Sequence, residues 1–237
     1  MKAYFDAPLP HIFAHRGLAL NSPENSLAAF SDALISGATH IETDVRCSRD
    51  GVPVLVHDAQ LGQLVVSKTL VANFPDSVAT LKDALERFPQ ARFNIDIKSA
   101  DAIIPTVAAV KSVGAEDRVL ITSFSDKRRK KGMSLLGDAA TSSSAFSYAV
   151  ALVSLRVGLT GIAAYMLRNI DALQIPEKSL GINASSPSMI SRFKKLGVFV
   201  YFWTINDSDV MLELIKRGAD GVVTDRTDIA VQILKIS

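Results

Sequence analysis

The chain has 237 residues, 48% of them apolar and 21% charged, a balance that supplies a core and excludes a disordered polymer. A formal net charge of +2 gives no electrostatic reason to expect nucleic acid, and the single cysteine, Cys47, excludes an internal disulfide and a thiolate zinc site. The length is ordinary for one (β/α) barrel, so a single domain over residues 1–237 is expected.

Short β-branched runs alternate with amphipathic segments along the chain. Met1-Lys2-Ala3-Tyr4-Phe5-Asp6 lacks the apolar run of a secretory leader, so a cytoplasmic, reducing location is expected. Strands are predicted at residues 11–14, 40–45, 92–97, 118–122, about 140–144, 172–175, 198–204 and 221–224, eight in all. Asn25 or Ser26 caps a first helix carrying Leu27, Phe30 and Leu34, with Gly37 to end it. Thr80-Leu81-Lys82-Asp83 reads as a capping box opening a helix that stops before Pro89. Pro105 fits a first helical turn and Gly114 a stop, while Asp207 or Ser208 begins a helix through Met211, Leu214 and Ile215 that Gly218 ends.

Residues 46–79 break the alternation. Asp50-Gly51 signals a hairpin, and 52–56 reads as an extra strand delivering His57, so this segment is expected as a small insertion over the barrel mouth. The hydrophobic stretch 145–167 carries Arg156 near its middle and is expected to be a barrel helix, with no integral membrane segment. His11 and His40 precede strands without an evident partner and are expected at the surface. The run 127–131 is expected to be a solvated helix start, although its positive charge opposes the helix dipole.

Eight strand-helix units predict an α/β protein with a closed (β/α)8 TIM barrel, whose chemistry gathers at the C-terminal strand ends. The residues suited to chemistry fall there: His15 and Arg16 after the first strand, Glu42 and Asp44 on the second, Asp96 and Lys98 on the third, Asp225 after the eighth. Alternation puts Glu42 and Asp44 on one strand face a few ångströms apart, where two like charges call for a cation. Oxygen donors without a nearby thiolate favour the hard ions Mg2+ or Ca2+. Ile41 and Val45 are expected to share that carboxylate face and make it a buried one.

The chain resembles the glycerophosphodiester phosphodiesterase family. The matching segments are His15-Arg16-Gly17, Pro23-Glu24-Asn25-Ser26, Ile41-Glu42-Thr43-Asp44, Val54-Leu55-Val56-His57-Asp58, Ile95-Asp96-Ile97-Lys98, Ser123-Phe124, Trp203-Thr204-Ile205-Asn206 and Gly218-Ala219-Asp220-Gly221-Val222-Val223-Thr224-Asp225, in the family's order. The resemblance implies a (β/α)8 barrel with an insertion after the second strand, and hydrolysis of glycerophosphodiesters, the deacylated phospholipids, to an alcohol and sn-glycerol 3-phosphate. It implies His15 and His57 as the acid-base pair, Glu42, Asp44 and Asp96 as ligands of a divalent metal, Arg16 and Lys98 as phosphate contacts, and Trp203 stacking on the glycerol moiety. Asp58 is placed to orient His57 or to cap the turn that follows.

Two positions depart from the family pattern. Asp96 stands where relatives more often carry Glu, one methylene shorter, and Ala59-Gln60-Leu61-Gly62-Gln63-Leu64 replaces a common Arg-Thr-Thr stretch. The alternatives are a lysophospholipase D acting on lysophospholipids and a non-catalytic phosphate-binding barrel. Retention of both histidines and all three carboxylates argues against the last.

Overall fold

The computed structural model of the protein describes residues 2–234. Eight parallel strands, β1 (His11–His15), β2 (His40–Cys47), β3 (Arg92–Ile97), β4 (Val119–Thr122), β5 (Ala140–Thr141), β6 (Ala172–Ile175), β7 (Phe199–Phe202) and β8 (Gly221–Thr224), follow one another around a (β/α)8 TIM barrel. Sequence neighbours pair in continuous ladders except β5 with β6, and β8 pairs β1. The circle closes between β5 and β6 through one bridge, Ser142 to Ala172. Lys2 ties the base of that seam, its ammonium 2.9 Å from Asp171 and 2.7 Å from the Ala139 carbonyl.

The helices are α1 (Leu27–Ser36), α2 (Leu81–Arg87), α3 (Ile103–Ser112), α4 (Asp126–Leu136), α5 (Ala145–Arg156), α6 (Thr160–Leu167), α7 (Pro187–Lys194), α8 (Ser208–Lys216) and α9 (Thr227–Leu234). Ser26, rather than Asn25, caps α1, accepting from the Ala29 amide, and Gly37 ends it with φ at 100°. The Thr80 and Asp83 side chains form the reciprocal capping box of α2, and Asp207 caps α8. Residues 145–167 fold as two helices rather than the single one expected, because Gly158 takes φ of 83° between α5 and α6. Among the described residues no helix is long and apolar enough to cross a membrane.

Two apolar layers hold the barrel. Outside it, Ile41, Val45, Ile95 and Ile97 meet Phe30, Leu81, Leu85 and Val110 of the surrounding helices. Ile41 and Val45 therefore lie opposite Glu42 and Asp44, correcting the expected shared face: the two-residue period separates odd from even positions of β2. At the base of the interior, Tyr4 and Phe5 of a short 3₁₀ turn (Ala3–Phe5) close over Phe13 and Tyr201.

His11 and His40 belong to this basal plug and are fully buried, contrary to the surface placement expected for them. His11 Nδ1 lies 2.8 Å from the Tyr201 hydroxyl and its Nε2 lies 2.9 Å from the Ala7 carbonyl. His40 meets Thr39 Oγ1 at 2.8 Å and the Tyr4 carbonyl at 3.2 Å, and stacks on Phe13 with ring centroids 4.4 Å apart. Nearby aromatic rings and carbonyls supply the partners that the local sequence did not reveal. The basic run is likewise not wholly solvated: Arg129 is buried, donating to Asp126 at 2.9 Å, and Asp126 in the first turn offsets the dipole conflict.

The insertion begins as predicted, with a short strand (Pro53–Leu55) running antiparallel to β2 and pairing Cys47 with Pro53 and Val45 with Leu55. The Val56 amide donates to the Asp44 carbonyl at 3.1 Å, which brings His57 to the barrel mouth. Beyond it a two-residue ribbon (Gln60–Leu61 with Leu64–Val65) covers a satellite core of Val54, Val56, Val66 and Phe74.

Candidate active site

Strand register sets the geometry of the mouth. His15 aligns with Glu42 across β1 and β2, and Asp44 aligns with Asp96 across β2 and β3. Inward-pointing groups on three adjacent strands thus stand on two successive rungs at the mouth.

His15 ends β1 with Nδ1 2.7 Å from Asp225 Oδ1. Asp225 follows β8 directly. Its other oxygen accepts from Asn206 Nδ2 at 2.7 Å, and Asn206 Oδ1 accepts in turn from the Asp225 amide at 2.9 Å. The carboxylate is pinned from both ends, and the imidazole takes its orientation from it.

The chain then turns sharply. Arg16 adopts φ of 56° and Gly17 of 86°, and a Cβ on Gly17 would stand 2.7 Å from backbone and side-chain atoms of Ala29. Glycine is therefore required there, and the turn aims the Arg16 amide at Glu42 Oε2, 3.1 Å away. The Arg16 guanidinium donates to Glu24 at 2.8 Å and lies 2.9 Å from Asp44 Oδ2.

Asp44 is the most heavily supported carboxylate. Lys98 Nζ lies 2.8 Å from its Oδ1, and Asn25 Nδ2 donates to Oδ2 at 3.2 Å. Asn25 is buried with φ of 57°, and its Oδ1 accepts from Thr43 Oγ1 at 2.7 Å and from the Asp44 amide at 3.2 Å. Lys98, fixed by its amide to the Val45 carbonyl, also meets Asp96 Oδ2 at 2.5 Å. The other Asp96 oxygen is buried without a hydrogen-bond partner.

His57 stands across the mouth, its Nδ1 2.8 Å from Asp58 Oδ1. Arg46 Nε donates to the His57 carbonyl at 2.8 Å and holds this end of the insertion. His15, Arg16, Glu42, Asp44, His57, Asp96, Lys98 and Trp203 line one cavity of about 560 Å³. Every site residue read from the sequence is brought together. Facing the charged half is a less polar wall from Tyr148, Ala149, Pro176 and Leu180. At the rim Trp203, 37% exposed, meets Phe124 edge to face at 6.3 Å.

Burial and charge act together on these groups. Burial, then the Asp44 charge, pushes Glu42 up to about 8 despite His15 beside it. Burial alone would raise Asp44, but Lys98, Arg16 and Asn25 outweigh it and hold the group below the usual carboxylate range. Asp96 is raised, because burial exceeds the relief that Lys98 provides. Burial opposes protonation of His15, yet the Asp225 hydrogen bond and the Glu42 charge raise it above an ordinary imidazole. Among the described residues no three His, Cys, Asp or Glu side chains are placed so as to hold a metal ion together; the Lys98 ammonium bridges Asp44 and Asp96.

In the supporting layer the sequence suggests only a helix-capping part for Asn25 and none for Asn206. Asn206 and Asn25 carried a signal, since both fall inside motif segments, but their partners are distant in the chain and become visible only once the barrel closes. Glu24 and Phe124 were likewise quoted without a role.

Residues 15–229 match the Glycerophosphoryl diester phosphodiesterase family. A probable glycerophosphodiester phosphodiesterase 2 of Mycobacterium tuberculosis is 37% identical over 235 residues, covering 93% of this chain and 89% of that protein. A glycerophosphodiester phosphodiesterase of Caldanaerobacter subterraneus is 27% identical over 257 residues, covering 94% and 97%. In fold, the chain superposes with a TM-score of 0.77 on an Oleispira antarctica phosphodiesterase solved with its product sn-glycerol-3-phosphate, at 23% identity and covering 96% and 98% of the two chains. With the family matched over nearly its whole length and the barrel shared, this chain belongs to the glycerophosphoryl diester phosphodiesterase family and is a phosphodiester hydrolase of that family.

Proposed function

We propose that the chain hydrolyses glycerophosphodiesters to an alcohol and sn-glycerol 3-phosphate, with His15 and His57 handling the two proton transfers. The carrying observation is that both imidazoles border one cavity with their Nδ1 atoms engaged by carboxylates, Asp225 for His15 and Asp58 for His57. Nε2 is then the free nitrogen of each ring, the atom that accepts a proton from the nucleophile or returns one to the leaving oxygen. Arg16 and Lys98 meet the phosphoryl oxygens, where negative charge grows in the transition state. Trp203 at the rim offers its ring to the glycerol carbons.

Glu42, Asp44 and Asp96 are proposed as ligands of a divalent cation, Mg2+ or Ca2+. The donor chemistry supports this reading, all oxygen and all lining one cavity with an Asp96 oxygen buried and unpartnered, and the cation would take the place between Asp44 and Asp96 that the Lys98 ammonium fills. Burial and the Asp44 charge keep Glu42 largely protonated at neutral pH, and a divalent ion beside it would favour the carboxylate and so gain a third negative ligand against the cations Arg16 and Lys98. A divalent ion, when bound, supplies positive charge and Lewis acidity toward a phosphoryl oxygen.

The test is release of sn-glycerol 3-phosphate from glycerophosphocholine by the wild type, His15→Ala and His57→Ala. Each variant is expected to lose about 10²-fold or more of kcat; near-normal turnover by either removes that histidine from the mechanism. The apolar wall of Ala149 and Leu180 gives a lysophospholipid reading one point in its favour. Lysophosphatidylcholine turned over faster than glycerophosphocholine would select that reading.

A further inference from the structure

Helices α5 and α6 present an apolar face that no described residue covers. Phe146, Val150, Val153 and Val157 recur at intervals of four, three and four, so they line one side of α5 and its end, with Phe146 65% and Val157 63% exposed. Helix α6 is apolar yet buries only Ala163 and Leu167, leaving Ile162 and Tyr165 outside, Tyr165 64% exposed. Isolated surface hydrophobics are ordinary, but a contiguous run of them marks an interaction site.

Charge narrows the choice of partner. Residues 139–170 contain no carboxylate, and their only charged side chains are Arg156 and Arg168. The Arg168 guanidinium lies over the Tyr165 ring at 4.0 Å from its centroid. Lys130 on the neighbouring α4 is already paired with Asp126 at 2.7 Å, which leaves Arg156 and Arg168 as the cations of this face. An apolar face with cations at its border and no anion within it suits a surface that is itself anionic. A second copy of the chain suits it less, since joining two such faces would oppose Arg156 and Arg168 to like charges with no carboxylate between them.

Position adds the second argument. The same helix that exposes Phe146 lends Ala145, Tyr148 and Ala149 to the wall of the active cavity. A surface seated on α5 and α6 would therefore lie beside the cavity mouth.

We propose that the α5–α6 face docks this enzyme on an anionic phospholipid bilayer, with Phe146, Val153, Val157, Ile162 and Tyr165 entering the headgroup boundary while Arg156 and Arg168 meet lipid phosphates. The docking acts on where the enzyme works rather than on the bond it breaks, so it stands or falls separately from the reaction above.

Co-sedimentation with phosphatidylglycerol and with phosphatidylcholine vesicles, at low and high salt, tests it. The wild type is expected to bind phosphatidylglycerol about ten-fold more tightly than phosphatidylcholine, and less tightly as salt rises. Phe146→Asp combined with Ile162→Asp is expected to lose about ten-fold of that binding, with the melting temperature and the turnover of soluble glycerophosphocholine retained. As an independent reading, Ile162→Trp should add a fluorescence component that shifts to the blue only with phosphatidylglycerol vesicles. Failure of the wild type to bind anionic vesicles at low salt, or undiminished binding by the double variant, overturns the proposal. So does a wild-type dimer that Ile162→Asp converts to monomers without any vesicle binding, which would assign the face to self-association.

Discussion

His15 and Asp225, 210 residues apart in sequence, meet Nδ1 to Oδ1 at 2.7 Å, so a carboxylate at the end of the last strand orients an imidazole at the end of the first. Barrel closure makes this contact, and the proton held at His15 depends on it. Asp225→Asn keeps the shape and removes the charge. It is expected to lower kcat by on the order of 10²-fold. Because Asp225 raises His15, the limb of the pH-rate profile governed by that imidazole should also move to lower pH. A fall in kcat with an unmoved profile would reduce Asp225 to a structural part.

Chelation followed by add-back examines the carboxylates. Removal of divalent ions is expected to abolish glycerophosphocholine turnover, and Mg2+ or Ca2+ to restore it. Glu42→Gln should cost about 10²-fold or more of kcat that added metal does not recover. Asp96→Glu, lengthening the reach by one methylene, should change the relative response to the two ions. An unchanged rate in chelator removes the metal from the proposal.

Asn25 supports the site without touching the reaction. It joins Asp44, Thr43 and the left-handed turn at the start of α1. Asn25→Ala loses the buried hydrogen bonds and strains φ, and is expected to cost about 2–3 kcal/mol in urea unfolding. Asn25→Gly keeps the turn and loses only the bonds, so it should cost less. Equal losses in the two variants would show that the backbone conformation carries no part of the effect.

The basal histidines make stability depend on pH. Burial and the neighbouring His11 hold His40 well below an ordinary imidazole, and burial lowers His11 as well. The unfolded chain takes up protons near the usual value of about 6.5, while the folded chain resists them. The stabilisation is therefore complete above that pH and is lost as pH falls below it, by up to about 1.4 kcal/mol per unit for each ring. Glu42 and His15, shifted upward, slope the other way and are common to any basal variant. Between pH 7 and 5.5 the wild type should lose more stability than His40→Gln. Parallel curves would mean that His40 takes up its proton equally in the folded and unfolded states, so that burial does not lower it.

The barrel was readable because parallel strands buried on both faces leave short β-branched runs, and residues 92–97, 172–175 and 221–224 reproduce observed strands without adjustment. The site was readable because its eight residues sit at strand ends inside compact motifs. What escaped was whatever depends on contacts distant in sequence. His11 and His40 looked unpartnered because Tyr4 and Tyr201 reach them only after the 3₁₀ turn folds under the barrel. The break at Gly158 hid inside an unbroken hydrophobic run, and Arg129 looked solvated because Thr141, on the next strand, meets it only once α4 packs against the barrel.

Continuous ladders join the strands everywhere except between β5 and β6, where a single bridge closes the circle. The protein thus has one loose stave. Amides near Ser143 and Asp171 should take up deuterium well before those of β2, and the barrel wall should breathe there first. That stave lies across the barrel from β1 and β2 and leads directly into Ala145, Tyr148 and Ala149. Rigidity is thus expected along the wall that carries His15, Glu42 and Asp44, and compliance along the wall formed by Ala145, Tyr148 and Ala149.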